Sequence, residues 1–428
     1  MTPMTTMTAT TPRSRPQVGG ELRADTPAGA AMVAAAERFA DDFMLGAAEH
    51  DRTGRFATEH LDALRDGRFL AGPVPGLFGG GGVTSVRDVL VAASRLARGD
   101  AATTIGVNMH LAVVANLARQ WRVACAREDT GAAQGLGHTL RAITEAGVVF
   151  AAAVSEPGGD QDLTRPATVA TRAADGWVVD GRKSFVTMAP AATLLSVAVT
   201  FTADDGTERY GFALVPTTAP GVVVHDDWDA LGMRASASGA VSFEGVRLGP
   251  DAVRDGFAAG SYSTALFERY LVSGALHAAA SVGIAESADA VVTASLRAKA
   301  RSVVEDAHGV MRLAENVVDL AALRATFDRA GRLIDEHHAA HPCGDAPVEA
   351  AQAVFAEVQA AKTFVNEAAG RIVDRALALS GGAGYLAAHP LAKAWRDARA
   401  GAFMHPLGAN RAYDFLARTA LGLEPRAR

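Results

Sequence analysis

Cysteine is scarce in this chain of 428 residues, which contains only Cys125 and Cys343. Two thiols this far apart in sequence suggest neither a disulfide framework nor the closely spaced ligands of a zinc site. We therefore expect no bound metal. We also expect both cysteines to be buried thiols of a protein in a reducing cytoplasm.

Positive charge is in deficit, because 41 Lys and Arg are outnumbered by 47 Asp and Glu and the formal net charge is −6. Binding nucleic acid by neutralising phosphates needs a basic surplus, so nucleic acid is not an expected partner. Charge-free apolar runs of about 18 residues are also lacking, which predicts that no segment spans a membrane. The Thr- and Pro-rich start has no apolar core of the kind a secretory signal needs, so we predict a disordered tail over residues 1–28.

Apolar residues are abundant at 49%, which is enough for a large buried core. Residues 29–148 carry apolar side chains at helical spacing, including Phe39 and Phe43. Residues 149–250 contain short β-branched segments between Gly, Pro and Asp, which predicts a small sheet or barrel. Residues 251–428 are Ala-rich with few breakers, which predicts an antiparallel helical bundle. The predicted fold class is mainly α with a central β domain.

Two motifs lie in the predicted β domain. Residues 154–162 read Val-Ser-Glu-Pro-Gly-Gly-Asp-Gln-Asp, a turn whose glycines let backbone N–H groups approach an acceptor closely. Residues 181–187 read Gly-Arg-Lys-Ser-Phe-Val-Thr, in which an aromatic ring and a hydroxyl suit the wall of a redox site. An ordinary polar turn and an ordinary strand are the alternative interpretations.

Two further motifs follow along the chain. Residues 231–236 read Leu-Gly-Met-Arg-Ala-Ser, and residues 380–385 read Ser-Gly-Gly-Ala-Gly-Tyr. The second of these precedes Arg-Asp-Ala-Arg at 396–399. Gly after a helix is also a routine C-cap, so the pairing with the Arg-Asp segment is the more specific feature.

These four motifs, in this order, resemble the acyl-CoA dehydrogenase superfamily from about Ala30 to the end of the chain. The resemblance implies a helical domain, a β domain and a helical bundle that bind FAD. It also implies flavin contacts from a set of residues on these motifs: Val154, Ser155, Gln161, Phe185, Thr187, Gly381 and Gly382. Phe185 would pack on the flavin, Thr187 would donate to its N5 atom, and the two glycines would approach the flavin of a neighbouring subunit. Gln161 stands where the family has Ser.

The resemblance favours α,β-dehydrogenation of an acyl-CoA, with hydride passing to flavin N5 and electrons to an electron-transfer flavoprotein. Most family members place the catalytic Glu where this chain has His405. Some branches carry it on an earlier helix, where Glu268 precedes Arg269, so Glu268 is the predicted base. A surface glutamate is the alternative interpretation of Glu268. Arg269, Arg234 and Ser236 are the predicted substrate contacts.

A second branch of the superfamily, the two-component flavin monooxygenases, needs no catalytic Glu. It takes reduced flavin from a reductase and oxygenates small aromatic or amino compounds with O2. His110 and His405 lie where that branch places histidines, and either could move a proton. A histidine that only packs is the alternative for each, and a catalytically silent flavin or acyl-CoA binding protein is a third hypothesis.

The family's interface segment Arg-x-x-Phe-Gly is not recognisable between Ala290 and Gly309, and its Gln before the double glycine is Ala378. Both losses would weaken binding of the adenosine part of FAD, which leaves FMN or exchangeable reduced flavin open. The resemblance implies a homodimer or homotetramer, because family members bind flavin partly through a neighbouring subunit.

Overall fold

The computed structural model describes residues 20–158, 162–298 and 307–426. Six helices occupy its first part. They are α1 (Pro27–Met44), α2 (Ala47–Thr53), α3 (Thr58–Asp66), α4 (Val86–Ala97), α5 (Ala101–Ala126) and α6 (Thr130–Glu145).

The start of α1 is tied to α4. The Thr26 side chain caps α1 by accepting from the Gly29 backbone N–H at 3.0 Å. The buried Asp88 carboxylate accepts from the backbone N–H of Asp25 at 2.8 Å and of Thr26 at 3.0 Å. The end of the predicted 1–28 tail is therefore fixed, which corrects that prediction for these residues. Residues 1–19 lie outside the described part of the chain.

Eight strands form one sheet in the middle of the described chain. They are β1 (Phe150–Ala153), β2 (Val169–Ala173), β3 (Gly176–Lys183), β4 (Leu194–Thr202), β5 (Glu208–Pro216), β6 (Val222–Val224), β7 (Val241–Leu248) and β8 (Val253–Ala258). The order is β6-β7-β3-β2-β4-β5-β8, and β1 pairs with β4 in parallel. The sequence predicted the first six strands. It missed β7 and β8, and β8 pairs with β5 after the predicted boundary at 250.

Long helices return after the sheet. They are α7 (Thr264–Ala298), α8 (Ala307–Ala340), α9 (Val348–Ser380), α10 (Pro390–Arg399) and α11 (Ala409–Ala420). The largest core cluster joins both helical regions, since Leu111 of α5, Leu276 of α7 and Val365 of α9 are all buried in it. Full burial of such side chains contributes about 1.5–3 kcal/mol each. The predicted fold class, mainly α with a central β domain, is confirmed.

Helix α5 is long and apolar enough to cross a membrane by length and composition, yet its most apolar window is entirely buried inside the protein. It behaves here as the core helix of a globular fold, wrapped by α4, α6 and α7.

The two cysteines are both free, and they are less buried than expected. Cys125, in the last turn of α5, is exposed, and Cys343 is half-buried between α8 and α9. The prediction of two buried thiols is therefore wrong for Cys125, because the end of α5 projects beyond the core that buries its middle.

Candidate active site

A cavity of about 430 Å³ lies where the sheet meets α5, α7 and the segment that follows α10. Apolar side chains form most of its wall, including Met109, Val113 and Met404. A few polar groups converge on it, which is the usual composition of a small-molecule site. The residues of the predicted site that line it are Val154, Ser155, Phe185, Thr187, Ser236, Arg269 and His405.

An aromatic wall forms one side of the cavity mouth. Phe185 is 66% exposed, and the edge of Trp228 packs against it with ring centroids 6.1 Å apart. Phe185 has a φ of 55°, a backbone conformation that costs a non-glycine residue about 1–3 kcal/mol. Met188 follows Phe185 in the same loop and also has a positive φ, as do Met233 and Ala237 in the loop before β7. Strain concentrated in this way, holding a ring open to solvent, is typical of a ligand site.

Three hydroxyl groups near Phe185 are linked by hydrogen bonds. Ser236 and Ser238 are buried and share a hydrogen bond of 2.7 Å, and Ser238 donates to the Thr187 hydroxyl at 3.0 Å. Thr187 then keeps its own proton to donate elsewhere, and its side chain lines the cavity. The geometry therefore suits a hydrogen bond from Thr187 to a ligand acceptor.

A buried ion pair joins the first two motifs. The Lys183 ammonium lies 2.7 Å from the Glu156 carboxylate, and Ser184 donates its backbone N–H to the Ser155 carbonyl at 2.8 Å. Glu156 also accepts from the Thr168 backbone N–H at 2.8 Å. Burial alone would raise the pKa of Glu156, but Lys183 outweighs it and the pKa is lowered. Sequence reasoning named the neighbours of this pair and missed the pair itself.

The third and fourth motifs are joined by a second buried carboxylate. Asp397 accepts from the Met233 backbone N–H at 2.6 Å, and its other oxygen lies 2.7 Å from Lys393. Position 232 requires glycine, because the Cβ of any other residue would lie 2.2 Å from the Arg396 carbonyl oxygen. The 231–236 loop is thus fixed against α10, which places Ser236 at the cavity.

Two histidines line the cavity. His405 follows α10, and His277 lies on α7, two turns after Arg269. The buried Nε2 of His405 and Nδ1 of His277 have no hydrogen-bond partner among the described residues. Burial, with the neighbouring His277 and Lys362, holds the pKa of His405 well below 6.5, and burial lowers that of His277 to about 3. Both rings are therefore uncharged near pH 7.

Lys362 of α9 fixes the loop that contains His405 through hydrogen bonds to its backbone. Its ammonium donates to the backbone carbonyls of Met404, His405 and Leu407 at 2.5, 3.1 and 2.9 Å. Burial lowers the pKa of Lys362 to about 7. The ring of Tyr270 packs edge-on against His405, with centroids 4.6 Å apart. Sequence reasoning missed His277, Tyr270 and Lys362, although the spacing 269, 273 and 277 on one helix face was a usable signal.

His110 does not reach the cavity. It is fully buried, accepts from the Phe150 backbone N–H at 3.0 Å, and lies 3.1 Å from the Leu70 carbonyl oxygen. Burial lowers its pKa to about 4. One ring nitrogen joins α5 to β1 and the other joins α5 to the turn containing Leu70, so the geometry favours a packing role over the predicted catalytic one.

Glu268 also lies away from the cavity. Its carboxylate is 3.0 Å from Nε2 of His337 on α8, on a different face of α7 from Arg269. A base must reach the carbon that it deprotonates. The structure therefore does not support the predicted role of Glu268, because the helix turns its side chain toward α8.

Three other predicted site residues lie outside the cavity. Arg234 donates to the Asp51 carbonyl at 3.0 Å, which fixes its loop to α2. Gly381 and Gly382 lie on an exposed turn after α9. Gln161 lies outside the described residues.

His50, His60 and Asp100 come close enough to hold a metal ion, with their ligand atoms within 4.8 Å of one another. Each is already engaged: Asp100 lies 3.1 Å from the Lys393 ammonium, and His50 lies 2.9 Å from Glu59. An ammonium this close disfavours a cation, so the cluster functions as a polar contact between helices.

The chain matches three acyl-CoA dehydrogenase domains: the N-terminal domain over residues 26–121, the middle domain over 151–246 and the C-terminal domain over 263–410. With this fold and these matches, the chain belongs to the acyl-CoA dehydrogenase family. The predicted resemblance is confirmed.

Individual proteins of this family are similar to the chain over nearly its whole length. L-evernosamine nitrososynthase of Micromonospora sp. is 32% identical over 95% of this chain and 94% of that protein. Amino sugar nitrososynthase DnmZ of Streptomyces peucetius is 32% identical over 93% of this chain and 94% of that protein. The solved structure of KijD3 in complex with FMN and dTDP-3-amino-2,3,6-trideoxy-4-keto-3-methyl-D-glucose is 32% identical, with a TM-score of 0.84, over 96% of this chain and 97% of that chain.

Proposed function

We propose that this chain is a flavin-dependent N-monooxygenase that oxidises the amino group of a nucleotide-linked amino sugar. One observation carries the proposal. Among the described residues that line the cavity, Asp229 is the only carboxylate, and its side chain is 96% exposed. Dehydrogenation of an acyl-CoA needs a positioned carboxylate next to the substrate carbon. This cavity instead offers neutral histidines and hydroxyls, so the alternative prediction replaces the main one.

The wall of the cavity fits a flavin ring. Phe185 and Trp228 offer apolar ring surface, and Thr187 offers a hydroxyl proton. Reduced flavin, when bound, supplies the electrons that activate O2. The apolar wall would keep water from the reacting atoms, and His405 Nε2, which has no partner among the described residues, would accept the proton released from the substrate nitrogen.

The relatives support the substrate class and the cofactor. Two of them are named for nitroso formation on amino sugars, and the KijD3 structure contains FMN and a dTDP-linked amino sugar. We therefore propose FMN in place of the predicted FAD. We also propose that a separate flavin reductase, and not an electron-transfer flavoprotein, supplies the reduced flavin.

The test is turnover by the purified full chain with FMN, NADH, a flavin reductase, O2 and a dTDP-linked 3-amino sugar. Each oxygen insertion consumes one O2 and one reduced flavin, places one oxygen atom on nitrogen and releases the other as water. We expect a hydroxylamine and then a nitroso product, both labelled from isotopic O2. Absence of both products would contradict the proposal, as would anaerobic flavin reduction by an acyl-CoA.

A matched variant separates the two chemistries. Glu268→Gln should keep full oxygenase activity, because Glu268 faces His337 and not the cavity. Loss of oxygenase activity in this variant, with unchanged folding, would show that Glu268 takes part in oxygenation. Flavin reduction by an acyl-CoA that is lost in Glu268→Gln would instead support the dehydrogenase hypothesis with Glu268 as base. Failure of every substrate would instead favour the silent binding protein.

A further inference from the structure

Arg269 is a basic residue that lines the cavity. It lies near the start of α7 and lines the cavity together with Asn116 of α5 and Ser273 of α7. Its guanidinium stacks over the Phe212 ring at 3.9 Å and donates to the Ser196 hydroxyl at 3.2 Å. These contacts fix the direction of the guanidinium, and both partners are electrically neutral.

No carboxylate compensates this charge among the described residues. Arg95 is paired with Glu286 at 3.1 Å, whereas Arg119, which has no ion pair among the described residues, donates to the backbone carbonyls of His341 and Pro342. Within the described ranges, Arg269 has no ion pair, and the same holds for its neighbour Arg254 on β8, whose buried Nη1 atom also lacks a hydrogen-bond partner. Burial, with the nearby Arg269, lowers the pKa of Arg254. Two guanidinium groups therefore share one region without a counter-charge, in a chain whose net charge is negative.

An unpaired buried charge is costly, and buried arginines are normally paired with an acid or with a bound anion. A guanidinium presents a planar set of donors that matches phosphate oxygens in pairs. The Arg269 end of the cavity is therefore an anion site built into the substrate cavity, with Asn116 and Ser273 beside it as further polar groups.

We propose that Arg269 binds the diphosphate of a nucleotide-linked substrate, so that the sugar amine lies toward His405 and the aromatic wall. This assignment rests on the proposed function and deepens it. It makes the diphosphate, and not the sugar, the main determinant of affinity. Arg254 strengthens the local positive potential from behind the cavity wall.

The experiment is calorimetric titration of the full-length protein with dTDP, thymidine, inorganic pyrophosphate and coenzyme A, in the presence and absence of FMN. Wild type should bind dTDP more tightly than thymidine, and this preference should fall as salt increases. Arg269→Met should weaken dTDP binding by about 10- to 100-fold, the worth of charge-assisted hydrogen bonds, and leave thymidine binding unchanged. Arg269→Lys should give an intermediate loss, since it keeps the charge without the planar donor pair.

Arg172→Met is the matched control. Arg172 also stacks on an aromatic ring in the same sheet, Trp177 at 4.3 Å, but it lies outside the cavity and its side chain is 54% exposed. It should bind dTDP as wild type does.

Equal binding of dTDP by wild type and Arg269→Met would overturn the assignment, as would failure of wild type to bind dTDP. Tight binding of coenzyme A in place of dTDP would also overturn it and point to an acyl-CoA. If dTDP binding depends on Arg269 but no amine is oxygenated, the diphosphate site stands and the proposed function fails. Oxygenation that is insensitive to Arg269→Met in both kcat and KM would leave the function standing without this site.

Discussion

At the scale of single residues, the histidines show what a sequence position can and cannot decide. The family pattern drew attention to His405 because it replaces a glutamate, and the structure places it in the cavity with an Nε2 atom that has no hydrogen-bond partner among the described residues. The same pattern also drew attention to His110, which is buried between Leu70 and Phe150. His277 had no motif around it and was missed. The difference lies in which way each side chain points, and local sequence does not fix that.

His405→Ala should uncouple oxygen consumption from product formation. Removal of the only proposed proton acceptor near the amine should lower the rate of product formation by about 100-fold, within the usual range for general bases. Flavin oxidation by O2 should continue, because Phe185 and Thr187 are untouched. Product formed per O2 consumed is the measurement.

His337→Ala is the control for this variant, since His337 is also a histidine in the protein interior but faces Glu268 outside the cavity. It should remain coupled. Normal coupling in His405→Ala would remove His405 from the proposed mechanism.

At the scale of elements, the motifs fix loops to one another more than they contact a ligand. Glu156 and Lys183 join the turn after β1 to the end of β3, and Asp397 joins α10 to the loop containing Met233. These contacts hold Phe185 and Ser236 at the cavity. The charged residues of the motifs therefore act as positioning groups for their uncharged neighbours.

Breaking the Glu156–Lys183 pair from either side should strongly destabilise the β domain. Lys183→Met leaves a buried carboxylate without its cation, and Glu156→Gln leaves a buried ammonium without its anion, at an expected cost of about 3–5 kcal/mol each. The double variant should lose less than the sum, because no charge is left unpaired. Urea unfolding of all four proteins measures this coupling, and additive losses would show that the pair is not coupled.

At the scale of the whole molecule, burial keeps several histidines uncharged near pH 7. Burial lowers the pKa of His110 to about 4, those of His277 and His338 to about 3, and that of His405 well below 6.5. In the unfolded chain each would have a pKa of about 6.5. Below that pH the unfolded state binds more protons than the folded state, so the free energy of unfolding falls as pH falls.

We expect full stability from these groups above pH 6.5 and a progressive loss toward pH 4, at up to about 1.4 kcal/mol per pH unit for each histidine. Urea unfolding at a series of pH values measures the slope. His277→Gln should make the slope shallower by about one proton. A free energy of unfolding that does not change between pH 7 and pH 5 would show that these rings are not buried neutral.

The predicted homodimer or homotetramer stays a prediction. Next to the exposed Gly381 and Gly382, the side chains of Tyr385 and Leu386 are 86% and 65% exposed. Large apolar groups left in water at this place are consistent with an interface between copies of the chain. Cytoplasmic location also stays a prediction.

The sequence by itself determined the order of helices, strands and bundle, because apolar periodicity and turn residues are local properties. It also determined the family, because four short motifs occur in a fixed order. Only the tertiary structure decided that His405 and Arg269 share a cavity while Glu268 and His110 do not. These outcomes depend on which helix face meets which neighbour, and on whether a distant residue such as Lys362 or Glu156 is present to hold a loop. Such contacts join parts of the chain that no local pattern connects.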